Sequence, residues 1–88
     1  MSGFELGRIV ATPGALEVLA PDEAVSLLRR HQSGDWGEVD AHDRRANSRA
    51  LKDGTRILSA YVAARGERVW VITEADRCST CILLPSEY

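Results

Sequence analysis

The sequence predicts an α+β protein in which helices come first and an antiparallel sheet follows. Three helix start signals, at Thr12-Pro13, Pro21-Asp22-Glu23 and Asp40, precede the middle of the chain. From Arg56 onward, apolar and polar residues alternate with a period of two, which is typical of strands. The resulting order β-α-α-α-β-β-β predicts a short N-terminal strand, two to three helices and a three-stranded antiparallel β-meander.

The first half is expected to hold one strand and two helices before the polar turn at Ser33-Gly34. Phe4 to Ala11 alternate loosely, as a short strand does. Thr12 suits the N-cap of a first helix of about two turns, and Pro21 suits the first position of a second helix. The second helix has one stripe at i, i+3, i+4 and i+7, formed by Ala24, Leu27, Leu28 and His31.

The third helix is expected to run from the N-cap Asp40 to about Asp53 and to end at Gly54. Asp43 and Asn47 fall on its inward side, which is unusually polar. Three strands should then follow: one from Arg56, one over Arg68 to Thr73 and one over Ser79 to Leu84.

Size and composition indicate one globular domain over residues 1–88. Hydrophobic residues make up 44% and charged residues 27%, as in ordinary folded domains. The 11 basic and 13 acidic side chains are interspersed, giving a net charge of -2. This pattern argues against a polybasic duplex-binding surface and against the dense acidic surface of a DNA mimic.

The N-terminus lacks a basic stretch followed by an apolar run, so no secretory signal is expected. The longest apolar runs are strand-length, too short to span a membrane. We therefore expect a cytoplasmic protein with no membrane partner.

Cys78 and Cys81 form a C-x-x-C pair, the spacing of some zinc ligands and redox pairs. Zinc would need two further ligands, and a redox pair is usually found at a strand-to-helix turn. These cysteines enter a strand instead. We expect two reduced structural cysteines, with no metal and no cofactor.

The two histidines, His31 and His42, are candidates for general acid or base catalysis, because imidazole titrates near neutral pH. His42 begins a charged helix and is expected to be exposed. His31 lies at the edge of an apolar face, just before a polar turn, so both a buried structural role and a catalytic role remain open.

A second candidate group combines a loop carboxylate, an aromatic ring and two polar helix residues. These are Asp35, Trp36, Asp43 and Asn47. They are expected either to surround one pocket or to be structural, with Asp35 binding backbone N–H groups, Trp36 in the core, and the helix residues fastening the loop.

The sheet offers a third group, in which hydroxyl side chains share one alternation face: Ser59, Tyr61, Thr73 and Ser79. Thr80 and Arg77 lie near the second turn. Hydroxyls with an arginine can hold a phosphate. The same residues also suit a half-exposed sheet, with Arg77 paired to Asp76 or Glu74.

Four stretches carry a family resemblance that covers nearly the whole chain: residues 6–17, 30–37, 71–77 and 83–88. They resemble a family of small plasmid and integrative-element proteins, whose members are labelled plasmid-related or type I restriction methylation subunit. The chain lacks the glycine-rich cofactor loop and the Asn-Pro-Pro-Tyr type motif of a methyltransferase. The resemblance therefore implies a mobile-element setting without methylation.

The order of elements also resembles the barnase, colicin and RelE-like ribonucleases, in which helices precede an antiparallel sheet. An Arg-His pair in a helix contributes to catalysis in that group, and here it would be Arg30-His31. Arg77, with Thr73 or Thr80, would then stabilise charge on the scissile phosphate.

Two functions follow as hypotheses. The first is a non-enzymatic accessory protein that binds a host or element-encoded protein to counter a defence such as restriction or CRISPR. Its surface would centre on Trp36, with the further binding candidates His31, Asp35, Asp43, Asn47 and Arg77.

The alternative is a small endoribonuclease or toxin that uses His31, Arg77 and Thr80. Only this second hypothesis gives the protein a nucleic-acid partner. A free edge at the first or last strand would permit a homodimer.

Overall fold

The computed structural model describes residues 4–88, so the first three residues of the stretch examined for a secretory signal lie outside it. Along the chain the elements are β1 (Arg8–Ala11), α1 (Pro13–Val18), α2 (Pro21–Gln32), α3 (Ala41–Asp53), β2 (Ile57–Val62), β3 (Arg68–Thr73), β4 (Ser79–Leu83) and a final 3-10 turn (Pro85–Glu87). The predicted α+β class is confirmed, with its three helices and the antiparallel β2-β3-β4 meander.

The helices begin and end at the residues whose chemistry favours those positions. Thr12 Oγ1 accepts a hydrogen bond from the backbone N–H of Ala15 (3.3 Å), and Asp40 Oδ1 accepts one from Asp43 (2.8 Å). Gly54 ends α3 with φ of 74°, a left-handed conformation that glycine adopts without a Cβ clash. Local signals therefore mark the starts of α1 and α3 and the end of α3.

The N-terminal strand joins the sheet beside β4, in parallel, so the sheet is mixed and has the order β1-β4-β3-β2. The strand begins at Arg8, whereas the predicted strand began at Phe4. Gly7 has φ of 67°, and a Cβ there would lie 2.3 Å from the backbone of Cys78. This close approach takes the chain out of extended conformation and shortens the strand.

The helices cover one sheet face. The main apolar cluster consists of Ala15, Val18, Leu19, Leu27, Tyr61, Ala63, Val69, Val71 and Ile82. A smaller cluster of Trp36, Ala50 and Ile57 packs where α3 meets β2. The predicted stripe of α2 faces inward, with Leu27 and His31 buried.

The opposite sheet face carries the even-numbered residues of β2 and β3, and it is only partly covered. Leu58 and Trp70 are half-buried there, and Val62 is 45% exposed. Within residues 4–88, no helix has the length and apolarity needed to cross a bilayer.

Candidate functional site

A buried chain of hydrogen bonds runs from α2 across the covered face of the sheet. His31 Nδ1 lies 2.6 Å from Ser59 Oγ, and His31 Nε2 lies 2.8 Å from Thr73 Oγ1. Thr73 Oγ1 lies 2.7 Å from Thr80 Oγ1, which donates to the carbonyl oxygen of Leu6 at 2.7 Å. The four side chains are each 0% exposed. This set is called the His31 network below.

The bond from Thr80 to Leu6 fixes the direction of the two bonds before it. Thr80 gives its single hydroxyl proton to Leu6, so Thr73 must donate to Thr80, and His31 must donate from Nε2 to Thr73. The network therefore places a proton on His31 Nε2. In the neutral imidazole, Nδ1 is then the acceptor for the Ser59 hydroxyl.

Burial favours the neutral imidazole. Desolvation by burial, together with the smaller effect of the positive charge of Arg77, lowers the pKa of His31 to about 4. The ring lies among aromatic neighbours, with ring centroids 5.3 Å from Phe4 and 6.0 Å from Trp36. His31 is thus a neutral core residue at physiological pH.

The His31–Ser59 pair has the hydrogen-bond distance of a base and its nucleophile, but no substrate can reach it. Both residues are 0% exposed, and both ring nitrogens already have partners. A general base must come within hydrogen-bond reach of a substrate proton. The ribonuclease roles predicted for His31 and Thr80 therefore do not fit this geometry, and we assign the network to fastening α2 onto the sheet.

Arg77 is also occupied by the fold. It adopts φ of 60°, and its guanidinium donates to four backbone carbonyls, those of Ala50, Thr55, Glu74 and Ala75, at 2.7 to 3.3 Å. These bonds tie the β3–β4 turn to the C-terminal end of α3, where carbonyls lack helical partners. The predicted phosphate contact is not available to this guanidinium, and its partners are carbonyls rather than neighbouring carboxylates.

Trp36 is a core residue, which corrects the expectation that it anchors a binding surface. Its side chain is 5% exposed and packs against Ala50 and Ile57. The backbone on either side pairs with the edge of β2, since Ala60 donates to Trp36 (3.0 Å) and Glu38 donates to Ala60 (2.6 Å). The loop is thus held like an additional short strand, with the indole buried beneath it.

Asp35 holds the turn in which it lies. Its carboxylate accepts hydrogen bonds from Arg30 Nε (2.7 Å) and from the backbone N–H of Gly37 (3.2 Å). The bond from Arg30 is the main reason why the pKa of Asp35 is lowered. The structural interpretation of Asp35 and Trp36 thus accounts for their contacts.

Asn47 acts as a substitute strand partner for β2. The side chain is 3% exposed; its Nδ2 donates to the carbonyl of Leu58 (2.6 Å), and its Oδ1 accepts from the N–H of the same residue (3.1 Å). This pairing explains a polar residue on the inward side of α3. Asp43, four residues earlier, takes no part in it.

Replacing Asn47 with alanine is expected to lower the free energy of unfolding by about 2 kcal/mol, because the N–H and C=O of Leu58 lose their partners in a buried site. Asn47→Asp should be at least as destabilising as Asn47→Ala, since it sets a buried carboxylate oxygen against the carbonyl oxygen of Leu58. Urea denaturation measures both. Equal stability of Asn47→Ala and wild type would contradict this role.

The cysteines are free thiols, with Cys78 exposed and Cys81 partly buried. A hydrogen bond to Asp76 raises the pKa of Cys78, and burial raises that of Cys81. Both shifts disfavour the thiolate, which is the reactive and metal-binding form.

Asp40, His42 and Asp43 place one ligand atom each within 4.8 Å of one another, at the first turn of α3. The cap formed by Asp40 and a 3.6 Å contact between His42 and Asp43 account for this grouping. The side chain of His42 is 79% exposed, as predicted.

The partly covered sheet face holds an open groove of about 360 Å³. Leu58, Ala60 and Trp70 contribute its apolar part, and its charged lining includes the carboxylates of Glu38, Asp40 and Asp43. Arg68 is the one basic lining residue and lies 3.6 Å from Glu38, so within the lining the carboxylates of Asp40 and Asp43 have no basic partner. The remaining lining residues are Val39 and Pro85. We call this site the acidic groove.

The groove gathers one predicted binding residue, Asp43, with residues that sequence reasoning did not select: Glu38, Asp40 and Trp70. A signal for Trp70 was present. Val69 and Val71, on either side of Trp70, face the core. Because neighbouring strand residues face opposite sides of a sheet, Trp70 must lie on the other, less covered face.

Comparisons with protein-family models, with curated proteins and with solved structures find no match to this chain. The class that can be stated is an α+β domain with a mixed sheet, helices on one face and an acidic groove on the other. The resemblance to plasmid and integrative-element proteins stays a prediction.

Proposed function

We propose that this protein is a non-enzymatic binding domain whose acidic groove receives a basic segment of a partner protein. The observation that carries the proposal is the juxtaposition of Asp40 and Asp43 with the half-buried ring of Trp70 in one open groove. The proposal keeps the protein-binding class expected from the sequence and moves the surface away from Trp36.

An arginine or lysine side chain suits this lining chemically. Its aliphatic stem can lie against Leu58 and Ala60 while the charged end meets the carboxylates. A cation over an indole ring contributes about 0.5–2 kcal/mol. The ring of Tyr88 supports Trp70 in an edge-on contact, with centroids 5.7 Å apart, and so limits the movement of the indole.

The partner class follows from the mobile-element resemblance together with this charge. CRISPR effectors hold nucleic acid in a positively charged channel, and restriction enzymes, like other DNA-binding proteins, neutralise phosphates with lysine and arginine. A protein that places carboxylates and an aromatic ring on a basic segment of such a channel competes with the phosphates. The proposed role is therefore counter-defence by occupying a basic nucleic-acid-binding segment of a host protein, with no need to imitate a whole duplex.

Binding is tested with a flexible synthetic peptide of arginine, glycine and leucine, titrated calorimetrically into the protein at low salt. Asp40→Asn with Asp43→Asn is expected to weaken binding about tenfold, since each exposed ion pair contributes up to about 1 kcal/mol. Asparagine keeps the N-cap at position 40. Trp70→Ala should weaken binding by a similar factor.

The matched control is Asp53→Asn, which removes a carboxylate at the other end of α3 and should leave affinity unchanged. The same peptide with glutamate in place of arginine should not bind. The groove is the wrong site if wild type does not bind the arginine peptide, or if the double variant binds it as tightly as wild type does.

Counter-defence has a separate test, the efficiency with which foreign plasmid enters a restricting or CRISPR-carrying host that expresses the protein. Wild type should raise the efficiency, and the double variant should not. Peptide binding without any gain in plasmid entry would reject the counter-defence role and retain the groove.

A further inference from the structure

The outer edge of β1 has unused hydrogen-bonding groups. On its inner side β1 pairs with β4, and within residues 4–88 no strand pairs with its other side. The N–H groups of Arg8 and Thr12 point to β4, donating to Cys78 (2.9 Å) and Ile82 (3.0 Å). Because strand residues alternate, Ile9 and Ala11 direct their N–H and C=O groups outward.

Apolar side chains accompany this edge. Ile9 is 44% exposed, Val10 is 41% exposed and Leu16 is 67% exposed. Beside them lies an apolar pocket of about 200 Å³, whose lining includes Ala11, Leu16 and Ile82. The edge has few of the features by which proteins block edge pairing, since β1 contains no proline and Arg8, at its end, is its only charged residue.

We propose that a second copy of this chain pairs with β1, antiparallel and centred on Val10, so that two four-stranded sheets become one continuous sheet. Ile9 of each copy then lies over the apolar pocket of the other. This interface is separate from the proposed function, because β1 and β2 are opposite edges of the sheet and the acidic groove lies on β2 and β3.

The register follows from the backbone. In a two-fold antiparallel pair, residues with outward N–H and C=O groups must face each other, so Ile9 must lie opposite Ala11, Ile9 or Pro13 of the second copy. Pro13 has no N–H and begins α1, which leaves Ala11 and Ile9. If Ile9 lay opposite Ile9, Gly7 would have to pair with Ala11 of the second copy, but Gly7 is not extended, with φ of 67°. If Ile9 lies opposite Ala11, only residues 8–12 pair, and this segment ends at Thr12 with extended backbone (φ -76°, ψ 160°).

Side chains agree with this register. Ile9 and Ala11 share a sheet face, and Ala11 lines the apolar pocket, so the Ile9 of the second copy arrives next to that pocket. Val10 meets Val10 on the other face. Arg8 lies opposite Thr12 and not opposite a second Arg8, so no like charges face each other. One surface thus supplies both the aliphatic side chain and the pocket for it, which a symmetric dimer requires.

The test is analytical ultracentrifugation of the full chain with two opposite charge variants at the two-fold axis. Wild type is expected to form dimers at micromolar to submillimolar concentration. Val10→Lys and Val10→Glu should each raise the dissociation constant at least about tenfold, because like charges directly opposite destabilise a strand pair. An equimolar mixture of the two should form dimers again, since lysine then faces glutamate.

Val10 is exposed, so both variants should keep the wild-type circular dichroism spectrum, which is measured alongside. The proposal is overturned if the wild-type protein stays monomeric up to 1 mM. It is also overturned if the Val10→Lys variant forms dimers as readily as wild type does. If each variant is monomeric and the mixture is too, the register centred on Val10 is wrong.

Discussion

Replacing His31 with alanine is expected to lower the free energy of unfolding by about 3–5 kcal/mol, the range for removing a large buried ring. The ring is 0% exposed and touches Phe4 and Trp36, so its removal leaves a cavity in a packed region. It also leaves the Ser59 hydroxyl without its acceptor and Thr73 without a donor. For a small domain of about 5–15 kcal/mol total stability, this is a large fraction.

The measurement is urea denaturation followed by tryptophan fluorescence, to which Trp36 beside the network should contribute. If His31→Ala proves too unstable to fold, Ser59→Ala gives a smaller change of about 1–3 kcal/mol by leaving Nδ1 unsatisfied. His42→Ala is the matched control and should change stability by less than about 0.5 kcal/mol. If His31→Ala and Ser59→Ala lower the free energy of unfolding by no more than His42→Ala does, the structural role of the network is refuted.

Stability is expected to fall by about 2 kcal/mol between pH 7 and pH 5 because of His31. Its pKa is about 4 in the folded protein and 6.5 in the unfolded chain, so the unfolded chain binds the proton first as pH falls. The stabilisation is therefore complete above pH 6.5 and is lost progressively toward pH 4. Protonation would also turn Nδ1 into a donor, which opposes the bond from Ser59.

The check is urea denaturation at several pH values between 7 and 5, with the imidazole of His31 titrated by NMR. This window lies above the range in which carboxylates with lowered pKa values, such as Asp35, contribute. An imidazole that titrates near 6.5 in the folded protein, or a stability that does not change over this window, would contradict the buried neutral histidine.

The parts of the fold that depend on local chemistry could be predicted from the sequence. Thr12 and Asp40 start helices because a side-chain oxygen within one turn satisfies free N–H groups, and Gly54 stops one for an equally local reason. The β2-β3-β4 meander joins strands that are neighbours along the chain, so alternation and turn residues were sufficient. The pairing of β1 with β4 joins residues about 70 apart, and periodicity does not identify such a partner.

The hydroxyl face illustrates a finer limit. Ser59, Tyr61 and Thr73 share the covered face, as predicted, but Ser79 does not, and Thr80 takes that place. The β3–β4 register sets Thr80 opposite Thr73, so the turn between them determines which alternate residues of β4 face the helices. Alternation shows which residues of one strand share a face. It does not show which face of the next strand lies on the same side of the sheet.

The candidate site also depends on how separate elements are placed beside one another, which the sequence pattern does not show. Sequence reasoning selected His31, Trp36 and Arg77 because such residues often act at surfaces and active sites, yet the fold uses all three internally. In contrast, the acidic groove combines a loop, a helix start and two strands. Of these residues only Asp43 was singled out, because its neighbours in the groove come together only once the sheet is assembled.

The parallel pairing of β1 with β4 also has a consequence for synthesis on the ribosome. β1 is made about 70 residues before the strand beside which it belongs. At roughly 5–20 residues per second, this separation is about 4–14 s. During that time the β2–β3 hairpin has the residues it needs to form, whereas β1, with its two exposed aliphatic side chains, has no strand of its own chain to pair with. The first strand to be made thus has no partner in its own chain until the last strand has been made.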